Sequence, residues 1–266
     1  MATGINAEAQ VTAPQDSTGG WPLTATYSLE AGAERAFNTY LSPLLQKGGS
    51  FAIDGSWRRG CAAPRHRLAL SFGARYRMGF LRNPARNASM TDINLALQCD
   101  LQRSLKLPGT HPSLKLAAGA GLLVDGGILY LPGNSNNPVA ARLYAGLTLN
   151  GTASYDIRVR GHLIRLIDEI CMPTLGIFFS PHFGQSYYEI YLGEHSGLAH
   201  CGWWGNHFGI DNLVAAEIPV CSARLRLGYR LQITNSRASH IDSRITCHSF
   251  VLGITTDWLN ITRRHE

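Results

Sequence analysis

The chain has 266 residues, the length of one large domain or two small ones. Its 24 Lys and Arg residues against 18 Asp and Glu residues give a formal charge of +6, yet charged residues make up only 16% of the chain. Ordinary soluble domains contain about 25%. The 45% hydrophobic content excludes a disordered chain. The longest run without polar side chains, Leu116 to Val124, is about half of the roughly 20 residues that a membrane-spanning helix needs.

The first twenty residues are mostly polar or small and lack the charged start and apolar stretch of a secretory signal. We predict that residues 1–20 form a flexible N-terminal segment and that a signal peptide has been removed ahead of Met1. The positive charge does not indicate nucleic-acid binding, because the arginines neither cluster on one helix nor form a short basic run. Six cysteines lie far apart without a Cys-x-x-Cys pair, so no zinc ribbon or redox motif is predicted and their disulfide state stays open.

Alternation of apolar and other side chains, the pattern of a β-strand with one apolar face, dominates the sequence. Residues 68–80 carry an apolar side chain at every second position, and the segments 93–101, 141–149 and 223–233 repeat this pattern. The longest of these segments alternate over 11 residues or more. Strands in soluble proteins have about 5–6 residues, whereas a tilted strand that crosses a bilayer has about 9–11. The lengths therefore favour strands that cross a membrane.

Turn residues divide the chain into twelve predicted strands, at 24–37, 49–59, 66–81, 91–106, 113–127, 139–154, 157–166, 171–181, 185–193, 207–218, 222–234 and 245–260. Residues 157–171 alternate poorly, which leaves ten strands as the alternative count. Short connections alternate with mostly longer ones. The longer connections lie at 38–48, 82–90, 128–138, 194–206 and 235–244. We therefore predict an all-β fold, a single closed antiparallel transmembrane β-barrel over residues 21–266, with short periplasmic turns and longer outer loops.

Charge indicates which face of each strand points inward. With its apolar faces inward, a soluble barrel would need to fill a very wide lumen with alanine and leucine. With those faces outward, the apolar side chains face lipid and the polar ones can pair in the lumen. A charge on the lipid face costs roughly 2–4 kcal/mol at mid-bilayer, and the most regular strands carry none on their apolar face. The predicted lumen charges are Arg75, Arg77, Arg142, Arg158, Arg160, Arg224, Arg226, Arg230, Glu30, Glu34, Asp54, Asp92, Asp100, Asp211 and Glu217.

Two segments of the second half carry a likeness to a known family. One is Phe179–Ile190 (FSPHFGQSYYEI), and the other begins at Gly202 (GWWGNHFG) and runs through 211–212 and 216–219 to LRLGYR at 225–230. Mainly over 175–260, they resemble an uncharacterised, Bacteroides-type family of outer-membrane β-barrel proteins, a domain of unknown function. The resemblance implies a Gram-negative outer-membrane location and a removed signal peptide, and it implies no catalytic residue.

A barrel hydrolase acting on lipid or lipopolysaccharide would need a serine, an adjacent base and an orienting partner near the outer rim. The weak candidates are His195, Ser196, His207, Ser239 and His240. No Gly-x-Ser-x-Gly motif occurs, and histidines in such loops are usually solvated, so no catalytic residue is assigned. His200 and Cys201 lie between His195 and His207, but the spacing matches no standard zinc template, so neither a metal nor another cofactor is predicted.

The lumen charges admit two interpretations. An uneven ring of arginines would select anions in a narrow pore, whereas arginines paired with carboxylates would brace a largely filled lumen. The near balance of charge, and a barrel narrower than the open 16–18-stranded porins, favour the filled lumen. We therefore expect a structural or interaction role in the outer membrane, with an anion-biased pore and a lipid or lipopolysaccharide hydrolase as alternatives. The expected partners are the lipid bilayer, lipopolysaccharide and other outer-membrane proteins, and no nucleic acid.

Overall fold

The computed structural model describes residues 23–60, 68–105, 111, 113–134, 137–159 and 161–257. The predicted flexible segment, 1–20, lies outside these residues. The described strands are β1 (Leu23–Asn38), β2 (Ser42–Gly60), β3 (Leu68–Arg82), β4 (Ser89–Leu105), β5 (Leu114–Tyr130), β6 (Val139–Val159), β7 (His162–Phe179), β8 (Ala199–Trp203), β9 (His207–Val220), β10 (Ala223–Ala238) and β11 (Ile241–Asp257). One short helix, α1 (Tyr187–Tyr191), lies between β7 and β8. In the described part of the chain, no helix is both long and apolar enough to cross a membrane.

The strands close into an antiparallel barrel. Each strand from β1 to β7 pairs with the next along the chain, as do β7 and β8, β9 and β10, and β10 and β11. The closing seam between β1 and β11 runs from Thr24 opposite Asp257 to Asn38 opposite Ser243. The short strand β8 pairs with the last residues of β7, and β9 pairs with the first half of β7. These two strands therefore share one position in the wall. The predicted closed antiparallel barrel is confirmed, with ten strand positions, the alternative count, in place of twelve.

The predicted number of twelve strands is wrong because the chain folds differently from the prediction where alternation is poor. The predicted strands 157–166 and 171–181 merge largely into the single strand β7, in which the register shifts next to Pro173. Proline has no N–H to donate, so it is tolerated in a sheet at such an irregularity. Residues 185–193, predicted as a strand, instead contain α1, which Ser186 and Glu189 start with a reciprocal capping box.

The two ends of the barrel differ in their connections. We call the end that carries residues 180–198 the loop end, and the end where β1 begins and β11 ends the base end. The segment 180–198 is the longest connection between strands. The long loops predicted at 38–48 and 235–244 are wrong, because the strands continue to tight turns at 39–41 and 239–240. Both residues of the second turn have positive φ, 48° and 64°, as a two-residue type I′ hairpin requires.

Apolar and polar side chains separate across the barrel wall, because successive side chains of a strand point to opposite faces. On the outer wall, Leu29, Ile53, Leu122, Ile177 and Phe250 are 55–61% exposed. Soluble monomers rarely expose such continuous apolar surface. The largest apolar cluster of buried side chains lies inside the barrel at the loop end, and we call it the loop-end plug: Ala36, Tyr40, Leu41, Leu81, Met90, Leu129, Leu131, Ala140, Ile241, Ile245 and Cys247.

Candidate functional site in the barrel lumen

Next to the loop-end plug, two arginines share one carboxylate with no exposed surface. Arg77 Nη2 lies 2.9 Å from Asp92 Oδ2, and Arg142 pairs with the other carboxylate oxygen of Asp92. Arg77 Nε also lies 3.5 Å from Glu34 Oε2. These residues come from β1, β3, β4 and β6. The group, which we call the Asp92 cluster, therefore ties four strands together inside the lumen.

A second ion network bridges opposite walls at mid-height. Asp211 on β9 lies 2.5 Å from Arg75 Nη2 on β3 and 3.2 Å from Arg230 Nη1 on β10. Arg230 Nε also lies 2.9 Å from Glu30 Oε1, and Arg230 Nη2 lies 3.8 Å from Asp54 Oδ1. Because β3 and β9 are not neighbours in the sheet, the pair of Arg75 and Asp211 crosses the lumen.

A third network lies closer to the base end, around the buried carboxylate of Glu217. Arg226 Nη2 lies 2.8 Å from Glu217 Oε1, and Arg224 Nε lies 3.2 Å from Glu217 Oε2. The Thr255 hydroxyl donates to Glu217 Oε1 at 2.9 Å. Arg226 Nη1 also lies 3.7 Å from Glu169, a residue that sequence reasoning missed because it lies where alternation is poor.

The remaining predicted lumen charges behave differently. Asp100 accepts hydrogen bonds from the side-chain amides of Gln98, at 2.9 and 3.0 Å, and Asn150, at 2.7 Å, and forms no ion pair with a described residue. Arg158 lies exposed near the base end without an ion pair to another described residue, and Arg160 lies outside the described residues. Five further charged residues line the lumen but were not predicted: Arg58, Lys115, Asp125, Arg165 and Glu169. Strand parity would have identified most of them.

The loop-end plug lies in the lumen and contacts the long loop. Leu81, Met90 and Leu129 are at most 1% exposed. The Tyr40 hydroxyl donates to the carbonyl oxygen of Gln185 at 2.7 Å, and the Tyr187 ring stands edge-on to Tyr40 at 6.1 Å. Burial raises the pKa of Tyr40 to about 12, so its hydroxyl keeps the proton that it donates to the loop.

The base-end half of the lumen is open by comparison. A cavity of about 400 Å³ extends from Thr24 and Ser104, near the base end, to Asp211 and Arg230 at mid-height. Its lining is polar, and at its rim the side chain of Lys115 is 60% exposed. The lumen therefore holds a polar cavity toward the base end, whereas the apolar loop-end plug lies at its other end.

The weak enzyme candidates do not form a catalytic arrangement. His195 and Ser196 lie exposed in the long loop, where the Ser196 hydroxyl hydrogen-bonds to Glu194. His240 lies exposed in its tight turn. His207 points into the lumen, where it stacks on the Tyr144 ring with the ring centroids 4.3 Å apart.

Ser239 lies close to His200 on β8. Its hydroxyl lies 3.4 Å from His200 Nε2, but the same nitrogen lies 3.1 Å from the carbonyl oxygen of Ser180. A carbonyl oxygen only accepts hydrogen bonds, so Nε2 carries the proton and cannot take one from Ser239. The pair therefore lacks the base that an activated serine needs.

The described residues contain no group of three or more His, Cys, Asp or Glu side chains arranged to hold a metal ion. His195, His200, Cys201 and His207 are thus not brought together as a ligand set. The described cysteines, Cys99, Cys171, Cys201, Cys221 and Cys247, carry free thiols, and Cys61 lies outside the described residues.

Two polar pairs interrupt the apolar outer wall. Asn212 Nδ2 donates to Asp168 Oδ1 at 2.6 Å, and the Tyr229 hydroxyl lies 2.5 Å from His248 Nδ1. In each pair one hydrogen bond joins the two side chains. This bond lowers the free-energy cost of placing polar groups on the apolar outer wall. Asp168 is an outward carboxylate on β7, the strand whose alternation is least regular.

A closed antiparallel barrel with an apolar outer wall and a charged lumen has the architecture of the transmembrane β-barrels. The chain belongs to the family described as "Protein of unknown function (DUF3316)", which matches residues 3–265. No curated protein matches the chain by sequence.

Solved structures similar to this chain include domains of bacterial autotransporters and an outer-membrane protease. The transport unit of the autotransporter AIDA-I from Escherichia coli shares 10% identity over 94% of each chain, with a TM-score of 0.46. The outer-membrane protease OmpT from Escherichia coli shares 9% identity over 91% of this chain and 99% of that chain, with a TM-score of 0.48. The beta domain of the Bordetella autotransporter BrkA shares 11% identity over 88% of this chain and 99% of that one, with a TM-score of 0.42. These likenesses concern the fold alone.

Proposed function

We propose that the protein is a bacterial outer-membrane β-barrel with a closed lumen, which acts as a structural or interaction component and not as a pore. The observation that carries this proposal is the loop-end plug, which fills the lumen beyond the three ion networks. The apolar outer wall supports a place in the membrane, because only helices and closed barrels satisfy their backbone hydrogen bonds in lipid. The long segment 180–198 supports an outward-facing loop end, since outer loops exceed periplasmic turns in length. The Bacteroides-type origin and the removed signal peptide stay predictions.

The pore alternative requires cations that are free to attract a passing anion. Arg75, Arg77, Arg142 and Arg230 each have a carboxylate partner inside the lumen. Paired in this way, the arginines brace the wall and leave little net positive charge for ion selection. The ion pairs therefore favour the closed lumen over the anion-biased pore.

Planar-bilayer recording tests the closed lumen. We expect no steady ohmic current steps from the wild-type barrel, because a closed lumen has no continuous water path. The triple variant Leu81→Ala, Met90→Ala and Leu129→Ala removes the three most buried large side chains of the plug and is expected to produce small current steps.

The matched control truncates three exposed side chains of β4 and β5 on the outer wall, Leu95→Ala, Leu122→Ala and Ile128→Ala. Because these side chains lie outside the lumen, this variant is expected to stay silent like the wild type. Steady, anion-selective steps from the wild-type protein would contradict the closed lumen and would support the pore.

A further inference from the structure

Three cations stand side by side on the outer wall near the loop end. Arg35 on β1 lies opposite Lys47 on β2, and Lys47 lies opposite Arg82 on β3. All three side chains are exposed, and within the described part of the chain none of them has an ion pair or a hydrogen-bond partner. We call these three residues the basic row.

The basic row lacks the internal counter-charge that other outward arginines at this end possess. Arg237 and Arg244 both pair with Asp242, at 3.2 and 2.5 Å. Like charges directly opposite on neighbouring strands destabilise a sheet. An anion from outside the chain would remove that repulsion, and the row spans two strand spacings, about 9.5 Å, which is wider than one phosphate group.

The outer wall next to the basic row, on its base-end side, has no side chain at Gly49. Gly49 lies there between Ala33 and Phe80 on the neighbouring strands, and Phe80 stacks on Phe51 at 6.3 Å. A Cβ atom at Gly49 would meet only the carbonyl oxygen of Gly32, at 3.5 Å, an ordinary contact. Neither packing nor a left-handed backbone therefore requires glycine at this position. Its effect is an open strip of wall over Gly49, bounded by Ala33 on β1 and by the rings of Phe80 and Phe51.

We propose that the basic row binds the phosphate groups of a lipopolysaccharide molecule, one of whose acyl chains lies over Gly49 between Ala33 and Phe80. A multiply phosphorylated headgroup matches three adjacent cations, whereas a phospholipid with one phosphate would leave part of the row without a counter-charge. The inference rests on the proposed outer-membrane function, which places the loop end in the leaflet that contains lipopolysaccharide.

Binding of purified lipid A to the full barrel in detergent micelles tests the proposal. The variant Arg35→Gln, Lys47→Gln and Arg82→Gln is expected to bind lipid A at least tenfold more weakly than the wild type. The matched control, Arg103→Gln, removes an exposed outward arginine of β4 near the base end and is expected to leave the affinity unchanged. Equal affinity of the triple variant and the wild type, with both shown to be folded, overturns the proposal.

Two further binding measurements distinguish the contribution of the headgroup from that of the acyl chain. Dephosphorylated lipid A and phosphatidylglycerol are expected to bind at least tenfold more weakly than lipid A, and inorganic phosphate is expected not to compete. Gly49→Leu, which fills the open strip, is expected to weaken lipid A binding, whereas Gly49→Ala is not. Equally tight binding of phosphatidylglycerol would show that the assigned lipid is wrong, and undiminished binding by Gly49→Leu would remove the acyl-chain track.

The outcome is independent of the conductance test. Lipid binding in micelles does not depend on whether the lumen conducts, so failure here leaves the closed lumen standing. Current steps from the wild-type barrel, in turn, would overturn the closed lumen and leave the basic row in place.

Discussion

Replacing Asp92 by alanine is expected to lower the free energy of unfolding by about 3–5 kcal/mol, because it removes one partner of a buried ion pair. Asp92 has no exposed surface, and its loss leaves Arg142 without its carboxylate and Arg77 with only the more distant Glu34. An unpaired charge in that environment loses most of its hydration without compensation. Urea-induced unfolding in lipid vesicles, followed by tryptophan fluorescence, measures the change.

The control for this prediction is a carboxylate of the same type at the rim. Asp257 pairs with Arg224 at 3.3 Å, but its side chain is 50% exposed. Asp257→Ala is therefore expected to lower the free energy of unfolding by less than about 1 kcal/mol, as the loss of an exposed ion pair does. Similar losses for the two variants would show that the Asp92 cluster does not hold the strands together.

Replacing Gly32 by alanine is expected to destabilise the barrel by about 3 kcal/mol or more, the upper range for overpacking. A Cβ atom at this position would lie 1.8 Å from the carbonyl oxygen of His248 and 2.7 Å from the Cα atom of Ser249. Both atoms belong to the backbone of β11, which pairs with β1 at the closing seam. Relief of the clash therefore requires the seam itself to move. The fraction of protein that runs as the folded form on unheated electrophoresis gels reports the loss.

Gly49→Ala provides the comparison, because Gly49 lies opposite Ala33, the neighbour of Gly32, on the next strand. Its added Cβ atom would approach only one atom, at 3.5 Å. We expect the free energy of unfolding to change by no more than about 0.5 kcal/mol, which is typical of a surface substitution. A comparable loss of folded protein in both variants would rule out a special requirement for glycine at the seam.

Alternation alone determined the two faces of the regular strands. In 68–80 and 223–233, the arginines fall at one parity and the apolar residues at the other, so parity assigned Arg75, Arg77, Arg226 and Arg230 to the same face. The physical reason is the two-residue period of a strand, which applies at every position until the register slips. The closed barrel was predicted from strand length and from the need to pair the backbone hydrogen-bonding groups of every strand edge in lipid.

The same reasoning failed where the strand is irregular or continues beyond its apolar pattern. In β7 the register shifts next to Pro173, and Asp168 and Glu169 lie where alternation was not readable. At the loop end, β10 and β11 continue to the turn at 239–240, because strand pairing persists after the apolar outer face has ended. A pattern of side chains cannot show how far backbone pairing extends.

The tertiary structure alone decided which charges meet and at which end of the lumen the apolar plug lies. Arg75 and Asp211 are 136 positions apart and meet only because the closed wall brings β3 to face β9. The loop-end plug combines a turn residue, Tyr40, with side chains from six described strands, including Leu81 on β3 and Leu129 on β5. Composition and parity determined that this protein is a membrane-type barrel with a charged interior. Whether that interior is a pore or a sealed chamber depends on contacts across the lumen, which no local pattern encodes.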